Sequence, residues 1–328
     1  MAEERRIPWV REAIRRGAKY HYRQKNPLIH NAINLGLAAT LIGLFVATFA
    51  LGQVVPFWLY IPVAGFGFGL LLFSLFILVV HEASHNMFVI SSDKKRAKRF
   101  NRIFGWAVSF LLAVDYHEHW EKGHLEHHVR PIEEKDPQKY NRTTGPTLFE
   151  TVLKLMLIPG YAYVHRFMNS DVERTSHTGT MPKVVFFAIW ITLFVLGGWV
   201  IGWVVPVALV FGLQNLTALN QIKGALEHGG EIAFEENPYL RSRSSFFPFR
   251  RLLMPMNITM HFEHHLNFTI PWYELPNYHA EIRELVPEPL HVEFFNTDIM
   301  AQLRGQKQGL TEEQRRIALE GKAAVAKR

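Results

Sequence analysis

Two long uncharged, apolar stretches set the pattern of this chain. No Asp, Glu, Lys or Arg occurs at positions 31–80, and none occurs at positions 184–222. A helix that crosses a membrane needs about 20 mostly apolar residues, so each stretch is long enough for two crossings. The pattern predicts four transmembrane helices in two hairpins, at about 33–51, 57–80, 184–196 and 203–222.

The two predicted hairpin turns contain no charged residue, and every Lys and Arg lies in the three other blocks of the chain. Because basic residues concentrate on the cytoplasmic side of a membrane protein, both termini and the middle block are expected in the cytoplasm. Aromatic residues at the turns should mark the opposite interface, as at Trp58, Tyr60, Trp199 and Trp203. The alternative, a soluble protein with two buried helical hairpins, fits poorly, because about a quarter of an ordinary soluble chain is charged.

The polar blocks divide the chain further. Residues 1–30 predict an amphipathic cytoplasmic segment, either a helix at the headgroup boundary or a solvated basic arm. Apolar patches at 103–114 and 148–164 are too short or too broken to span, so we interpret them as buried or interfacial helices. We predict a membrane catalytic domain over 31–290 and a polar tail over 291–328. No secretory signal peptide is predicted, and the first apolar helix is expected to be retained.

Composition narrows the possible chemistry. The chain has no Cys, which excludes disulfides, thiolate metal ligands and cysteine nucleophiles. It has 17 His among 328 residues, so a metal would be held by imidazole or carboxylate groups. The net charge is +7, and attraction to lipid headgroups accounts for basic residues that flank membrane helices. Since no nucleic-acid-binding module is recognisable, no nucleic-acid partner is predicted.

Eight of the histidines fall into three clusters. On a helix, residues i, i+3 and i+4 share one face, so each cluster presents two or three imidazoles in one direction. The predicted topology places all three clusters on the same side of the membrane. Imidazole is a ligand for Fe, Zn, Cu and Ni, and the clusters are therefore predicted metal ligands: His81 and His85; His124, His127 and His128; His261, His264 and His265.

Eight imidazoles are too many for one ordinary metal site. A zinc site usually has four ligands, so this number indicates two metals with four or five ligands each. Iron is favoured because a pair of irons can activate dioxygen, whereas zinc has no redox chemistry. Zinc or copper is the alternative.

The spacing of these residues resembles the three histidine boxes of the membrane fatty acid desaturase superfamily. The boxes are H-x-x-x-H from His81, H-x-x-H-H from His124 and H-x-x-H-H from His261. The stretch from His264 to His279 also resembles the segment that follows the third box. The resemblance covers roughly residues 30–290. It implies an all-α integral membrane fold with a cytoplasmic helical cap that carries the boxes around a non-haem di-iron site.

One further ligand is implied by the same resemblance. Members of the superfamily often have an additional histidine between the last span and the third box, and His228 holds that position. The implied ligands are then nine. Some acyl desaturases have Asn four residues before this histidine, where this chain has Gly224. The coordination there departs from that subgroup unless Asn220 or a water substitutes for that Asn.

The resemblance implies an enzyme that uses dioxygen and two electrons to attack an unactivated carbon–hydrogen bond of a lipid. Desaturation of an acyl chain is the first hypothesis. A hydroxylase or ketolase of the same superfamily, acting on an alkane, sphingolipid or carotenoid, is the second. A metal-handling membrane protein is the third, and it is disfavoured because a transporter needs ionisable ligands within its spans, where this chain has none.

The electrons are expected from a separate protein. Without Cys the chain has no iron–sulfur cluster of its own, and no nucleotide-binding glycine motif is recognisable. A ferredoxin, a rubredoxin or a small haem protein is the predicted donor. A basic run could steer an acidic partner, although membrane anchoring explains the same residues: Lys94, Lys95, Arg96, Lys98 and Arg99.

Several neighbours of the clusters are predicted to orient the ligands, because a ligating imidazole usually donates its other N–H group to a carboxylate or carbonyl. The candidates are Glu82, Asp115, Glu118, Glu126, Glu227 and Glu263. His117 and His119 are interpreted as orienting or structural residues, and His279 as a structural residue next to the site. The remaining histidines are expected to be ordinary polar residues: His21, His30, His165, His177 and His291.

Overall fold

Helices make up most of the protein. The computed structural model describes residues 7–112, 114, 116–134, 136–168, 180–306 and 310–325. Two short strands, β1 (Ser244–Ser245) and β2 (Phe295–Asn296), form one parallel pair. The α-helices of the described residues are, in chain order, α1 (Pro8–Gly17), α2 (Pro27–Leu51), α3 (Phe57–Leu75), α4 (Glu82–Ser84), α5 (Lys94–Leu111), α6 (Gly123–Val129), α7 (Gly145–Leu157), α8 (Tyr161–Met168), α9 (Thr180–Ile201), α10 (Val204–His228), α11 (Arg250–Leu253), α12 (His261–Leu266), α13 (Leu275–Leu285), α14 (His291–Phe294), α15 (Ile299–Leu303) and α16 (Glu312–Val325).

Two compact units form within the chain. The apolar unit consists of Pro27–Leu125 and Glu150–Asn220. The terminal unit consists of Met1–Asn26, Glu126–Phe149 and Gln221–Arg328. Nearly all of the uncharged sequence belongs to the apolar unit, whereas the third histidine box belongs to the terminal unit.

Three helices of the described chain are long and apolar enough to cross a membrane. They are α2, the continuous helix Phe57–Ser84 that contains α3 and α4, and α10. The third predicted span lies in α9, whose apolar part within the described residues, Phe187–Ile201, is shorter than a full crossing. Three apolar helices indicate membrane association, and the count of four stays a prediction.

The boundary between the last two predicted spans differs from the expectation. The glycine-rich pattern predicts a turn from Gly197 to Trp203, but α9 continues through both of its glycines to Ile201, and the chain turns at Gly202 with φ +86°. The reason is close packing. A Cβ added at Gly198 would lie 2.5 Å from the ring of Trp203, so glycine here makes room for an indole.

Helices α3 and α10 of the apolar unit approach each other closely through small residues. A Cβ added at Gly65 would lie 2.9 Å from the side chain of Phe211, and one added at Gly69 would lie 2.6 Å from that of Asn215. Small residues let membrane helices pack backbone to backbone, where van der Waals contact replaces the hydrophobic effect as the driving force. This contact places the end of α3, and therefore the first histidine box, on a tightly packed pair of helices.

The first histidine box begins in a π-helical turn. The helix widens at Phe76–His81 before it resumes as α4, and such turns occur frequently at functional sites. Polar side chains of α2 hold the loop that follows the box. His30 Nε2 lies 2.6 Å from the carbonyl oxygen of Met87, and Asn34 Nδ2 donates to that of Phe88 at 2.9 Å. The box is therefore fixed at both of its ends.

The core of the terminal unit forms around α12, which carries the third histidine box. The ring of Phe262 is fully buried and stacks on Phe294 with centroids 4.6 Å apart, and Trp9 of α1 packs against both rings at 6.2 and 6.1 Å. The Tyr278 hydroxyl donates to the carbonyl oxygen of Ala13 at 2.9 Å. Protein thus covers the apolar face of α1, an arrangement that differs from both the headgroup helix and the solvated arm predicted from sequence.

The region predicted as a polar tail also contributes to this core. Gln302 of α15 is buried, and its amide donates to the carbonyl oxygens of Ala225 at 3.0 Å and Leu226 at 2.7 Å. The last carbonyl groups of a helix have no partner within the helix. Gln302 therefore caps the end of α10, whose last residue is His228.

Candidate metal centre

Four histidines of the terminal unit come together at their ring nitrogens. His127 lies on α6, His228 ends α10, and His261 and His265 lie one turn apart on α12. Each offers one ring nitrogen, and these four atoms all lie within 4.8 Å of one another. We call them the four-histidine cluster. Local helical spacing pairs only His261 with His265, and the fold brings His127 and His228 to that pair from distant parts of the sequence.

The second ring nitrogen of three of these histidines faces an oxygen atom. The contacts are His127 Nδ1 to Asp136 Oδ2 at 2.8 Å, His228 Nδ1 to the carbonyl oxygen of Arg241 at 2.7 Å, and His261 Nδ1 to Glu227 Oε1 at 3.2 Å. The last is an electrostatic contact whose angles fall outside those of a hydrogen bond. An oxygen acceptor favours the proton on Nδ1, and a neutral imidazole then has its lone pair on Nε2. The tautomers are assigned from this network.

The Nε2 atoms consequently face one another with their lone pairs. His228 Nε2 lies 2.9 Å from His261 Nε2. His265 Nε2 is buried, and no group in the described part of the chain hydrogen-bonds to it. Lone pairs directed at each other over this distance repel, and a cation bound among them removes the repulsion. The donor set therefore fits a metal ion that prefers imidazole nitrogen.

Burial keeps His261 and His265 in the form that binds a metal. All four rings are buried, with His127 and His228 fully so. Burial, and then the neighbouring imidazoles, holds the pKa of His261 and of His265 well below the ordinary value of 6.5. Low pKa values keep both rings neutral near neutral pH, and only a neutral imidazole has a lone pair for a metal.

A second group, the three-histidine cluster, forms in the apolar unit. His81 and His85 of the first box and His124 of the second box have ring centroids 4.8 to 4.9 Å apart. His85 Nε2 and His124 Nε2 lie 3.1 Å apart. Trp120 packs on the His124 ring at 4.9 Å and shields it. The three rings offer nitrogens close enough to share one metal ion.

The remaining two predicted ligands lie in the terminal unit. The rings of His128 and His264 have centroids 4.6 Å apart, and the ring of His128 lies 4.4 Å from that of His265. Both side chains are buried. The structure thus places every one of the nine predicted ligands in a group of neighbouring imidazoles, and their role as ligands remains a proposal.

Asp136 is a positioning residue that sequence reasoning missed. Its carboxylate is fully buried, and it accepts from His127 Nδ1, from the backbone N–H of Ile132 at 2.6 Å and from that of Gln138 at 2.8 Å. Ile132 has φ +67°, a conformation that is strained for a β-branched residue. Asp136 therefore holds a strained turn and a candidate ligand with one carboxylate. Because the irregular turn at Ile132 brings Asp136 back to His127, the sequence pattern does not show that the two residues are in contact.

The glutamates predicted to orient ligands divide into two kinds. Glu82 Oε1 lies 3.2 Å from His81 Nδ1, and Glu227 contacts His261, so both face predicted ligands. Glu263 instead binds His279 and the Ser244 hydroxyl. Its contacts join α12 to α13 and β1, and the structural role of His279 stays a prediction.

The other predicted neighbours are partly exposed or lie outside the described residues. Glu126 is half-buried on α6. His117 Nδ1 contacts Glu121 Oε2 at 2.7 Å and its side chain is about half exposed, so it belongs to neither cluster. Asp115, the side chains of Glu118 and His119, and His177 lie outside the described residues.

Comparison with known proteins agrees with the histidine pattern. A family model described as fatty acid desaturase matches residues 56–296. The match includes all three histidine boxes and His228. No curated protein matched the chain. The resemblance predicted from the box spacing is thereby confirmed for the family.

Proposed function

This chain belongs to the fatty acid desaturase family, and from that premise we propose that it is an integral membrane di-iron oxidoreductase that desaturates an acyl chain with dioxygen and two electrons. The observation that carries the proposal is the four-histidine cluster, where four buried imidazoles bring their ring nitrogens within 4.8 Å of one another. The three-histidine cluster adds a second group of the same chemistry.

Nine histidines are the proposed ligands of two iron ions. The four-histidine cluster would hold one ion. The remaining proposed ligands are His81, His85, His124, His128 and His264. When bound, the two irons supply the redox chemistry that activates dioxygen and removes hydrogen atoms from an unactivated carbon.

The residues of the chain position this centre and keep water from it. Asp136 and the carbonyl oxygen of Arg241 each fix one ring of the four-histidine cluster from its far side, and the Glu227 carboxylate lies 3.2 Å from a third. Ligands held in this way lose little freedom on binding a metal, and partners of this kind also raise ligand basicity. Burial of the rings excludes solvent, which would otherwise compete for the metal and for reactive species.

The proposed substrate is the acyl chain of a lipid, which would lie among the uncharged helices. We propose a multi-pass membrane protein with four spans, with the N-terminus, the C-terminus and the active site in the cytoplasm. The distribution of Lys and Arg supports this orientation, since the uncharged turns are the segments left for the far side.

A separate electron donor completes the proposal. The chain has no Cys and so no iron–sulfur cluster of its own. The basic residues of the first turns of α5 are exposed and would attract an acidic ferredoxin, rubredoxin or small haem protein: Lys94, Lys95, Arg96, Lys98 and Arg99. The same residues also suit anionic headgroups.

Product analysis tests the proposed reaction. The protein is expressed in a host that is fed defined saturated fatty acids, and total lipids are analysed by mass spectrometry. We expect products lighter by two hydrogens than the acyl chain supplied, because removal of a second hydrogen from the neighbouring carbon gives an alkene. The His265→Ala protein, expressed to the same level, is the control and should give none.

Two other results of the product analysis would each support a different function. Products heavier by one oxygen atom would replace desaturation by hydroxylation within the same family. Products that gain one oxygen and lose two hydrogens would replace it by ketone formation. Unchanged lipids, from a host that supplies an active electron donor, would contradict the proposed enzyme and favour a protein that handles metal.

A further inference from the structure

Lys223 is a buried cation beside the four-histidine cluster that the proposed chemistry does not use. It lies on α10, one turn before Glu227, and its side chain is 8% exposed. Its apolar neighbours are Leu226, Met254 and Ile258, which line the small cavity beside it together with Ser245 and Thr259. Within the described chain its ammonium donates one hydrogen bond, to Glu227 Oε2 at 2.6 Å.

Glu227 connects Lys223 to a proposed metal ligand. One oxygen of its carboxylate accepts from Lys223, and the other lies 3.2 Å from His261 Nδ1. The carboxylate is 4% exposed, so water does not reach it to share these contacts. Glu227 therefore lies between Lys223 and His261. Lys223 holds one carboxylate oxygen, and the other oxygen faces the His261 ring.

Stability alone does not explain this pair. Removing two charges from water costs free energy that a buried ion pair often fails to recover, and an apolar pair of similar volume is commonly as stable. The apolar neighbours of Lys223 would accept such a side chain. The metal centre explains why the Lys223–Glu227 pair is buried, because a carboxylate that orients a ligating imidazole raises the affinity for the metal.

We infer that Lys223 is a positioning residue of the metal centre, which fixes the Glu227 carboxylate so that its free oxygen orients the ring of His261. This inference rests on the proposed function, because it requires that His261 bind a metal. Lys223 touches neither the metal nor the substrate, and its effect passes through Glu227.

Metal titration of the purified, metal-free protein tests the inference. Cobalt(II) replaces iron as the probe, because its absorption bands report both affinity and ligand geometry. We expect Lys223→Met to weaken cobalt binding about tenfold, the lower end of the effect of losing such a partner, and to shift the absorption bands. Lys154→Met is the matched control, since Lys154 pairs with Glu150 at the same spacing but on an exposed surface, and it should bind as the wild type does.

The route through Glu227 is tested by a double substitution. If Lys223 acts only by fixing Glu227, the K223M/E227Q protein should bind cobalt as E227Q does. Losses that multiply would overturn the inference, and so would a K223M protein that binds normally but melts at a lower temperature without metal, because that result describes a purely structural pair.

Two more variants keep the test decisive. Lys223→Arg retains a cationic donor and should bind more tightly than Lys223→Gln, and equal binding by these two proteins would overturn the inference even if K223M does not fold. A wild-type protein that binds no metal would contradict the proposed function itself. If the wild type and every Lys223 variant bind cobalt equally well, the positioning role of Lys223 is contradicted and the proposed function is not affected.

Discussion

Replacing His261 by Ala should abolish turnover and lower the iron content of the purified protein. The His261 ring has the rings of His228, His265 and His127 around it, with centroids 4.8, 4.5 and 6.3 Å away. Even a partner that only orients a ligand is worth about 10- to 100-fold in affinity or activity, so loss of a central ligand should cost more than about 100-fold. Iron analysis and product analysis of the same preparation measure both effects.

His291→Ala provides the matched control for this substitution. His291 lies in the same unit, and its ring nitrogen contacts the carbonyl oxygens of Arg283 and Val286 instead of other imidazoles. It should retain iron and activity. Full activity and unchanged iron in the His261→Ala protein would contradict the assignment of the four-histidine cluster as a metal site.

Replacing Asp136 by Ala should damage both stability and metal binding. The substitution leaves the N–H groups of Ile132 and Gln138 and the ring of His127 without their buried acceptor. A buried donor left without a partner costs about 1–3 kcal/mol, so we expect the free energy of unfolding to fall by about 4 kcal/mol. Iron affinity should fall by about 10- to 100-fold.

Denaturant unfolding in micelles and titration with ferrous iron measure these two losses. Asp298→Ala is the control, because Asp298 also accepts from a backbone N–H group, that of Ala301 at the start of α15. Loss of such a cap costs about 1 kcal/mol and should leave iron affinity unchanged. An Asp136→Ala protein that matches the control in both measurements would show that Asp136 does not hold the centre.

The features that the sequence predicts best are those formed by residues close to one another along the chain. Apolar runs predict helices from local composition, and three of them are long and apolar enough to span. The histidine spacing predicts local groups, and it identified the family that the comparison confirms. It does not predict how the groups divide. His127 joins the four-histidine cluster while His124, three residues earlier on the same helix, joins the three-histidine cluster.

The features that sequence does not predict depend on irregular backbone. Asp136 reaches His127 because the chain turns at Ile132, whose side chain gives no turn signal and whose φ is +67°. The acceptor for His228 is the backbone carbonyl of Arg241, and a carbonyl group is present at every residue. Glycine at position 198 predicts a turn from sequence, but in the structure it makes room for the ring of Trp203 within a helix.

The sequence pattern of α1 does not predict which surface its apolar face contacts. Its alternation of basic and apolar residues suits a membrane surface, water or a protein surface equally well. The aromatic pair Phe262 and Phe294 that receives Trp9 comes from distant parts of the chain, so the pattern within α1 cannot choose among these partners.

The metal content of the wild-type protein tests the central claim most directly. The protein is purified without air, loaded with ferrous iron, freed of loosely bound metal and analysed for iron and zinc. Two histidine-rich centres predict about two irons per chain, with oxygen consumed when the loaded protein is reduced. A single tightly bound zinc, with no oxygen consumption, would contradict the account.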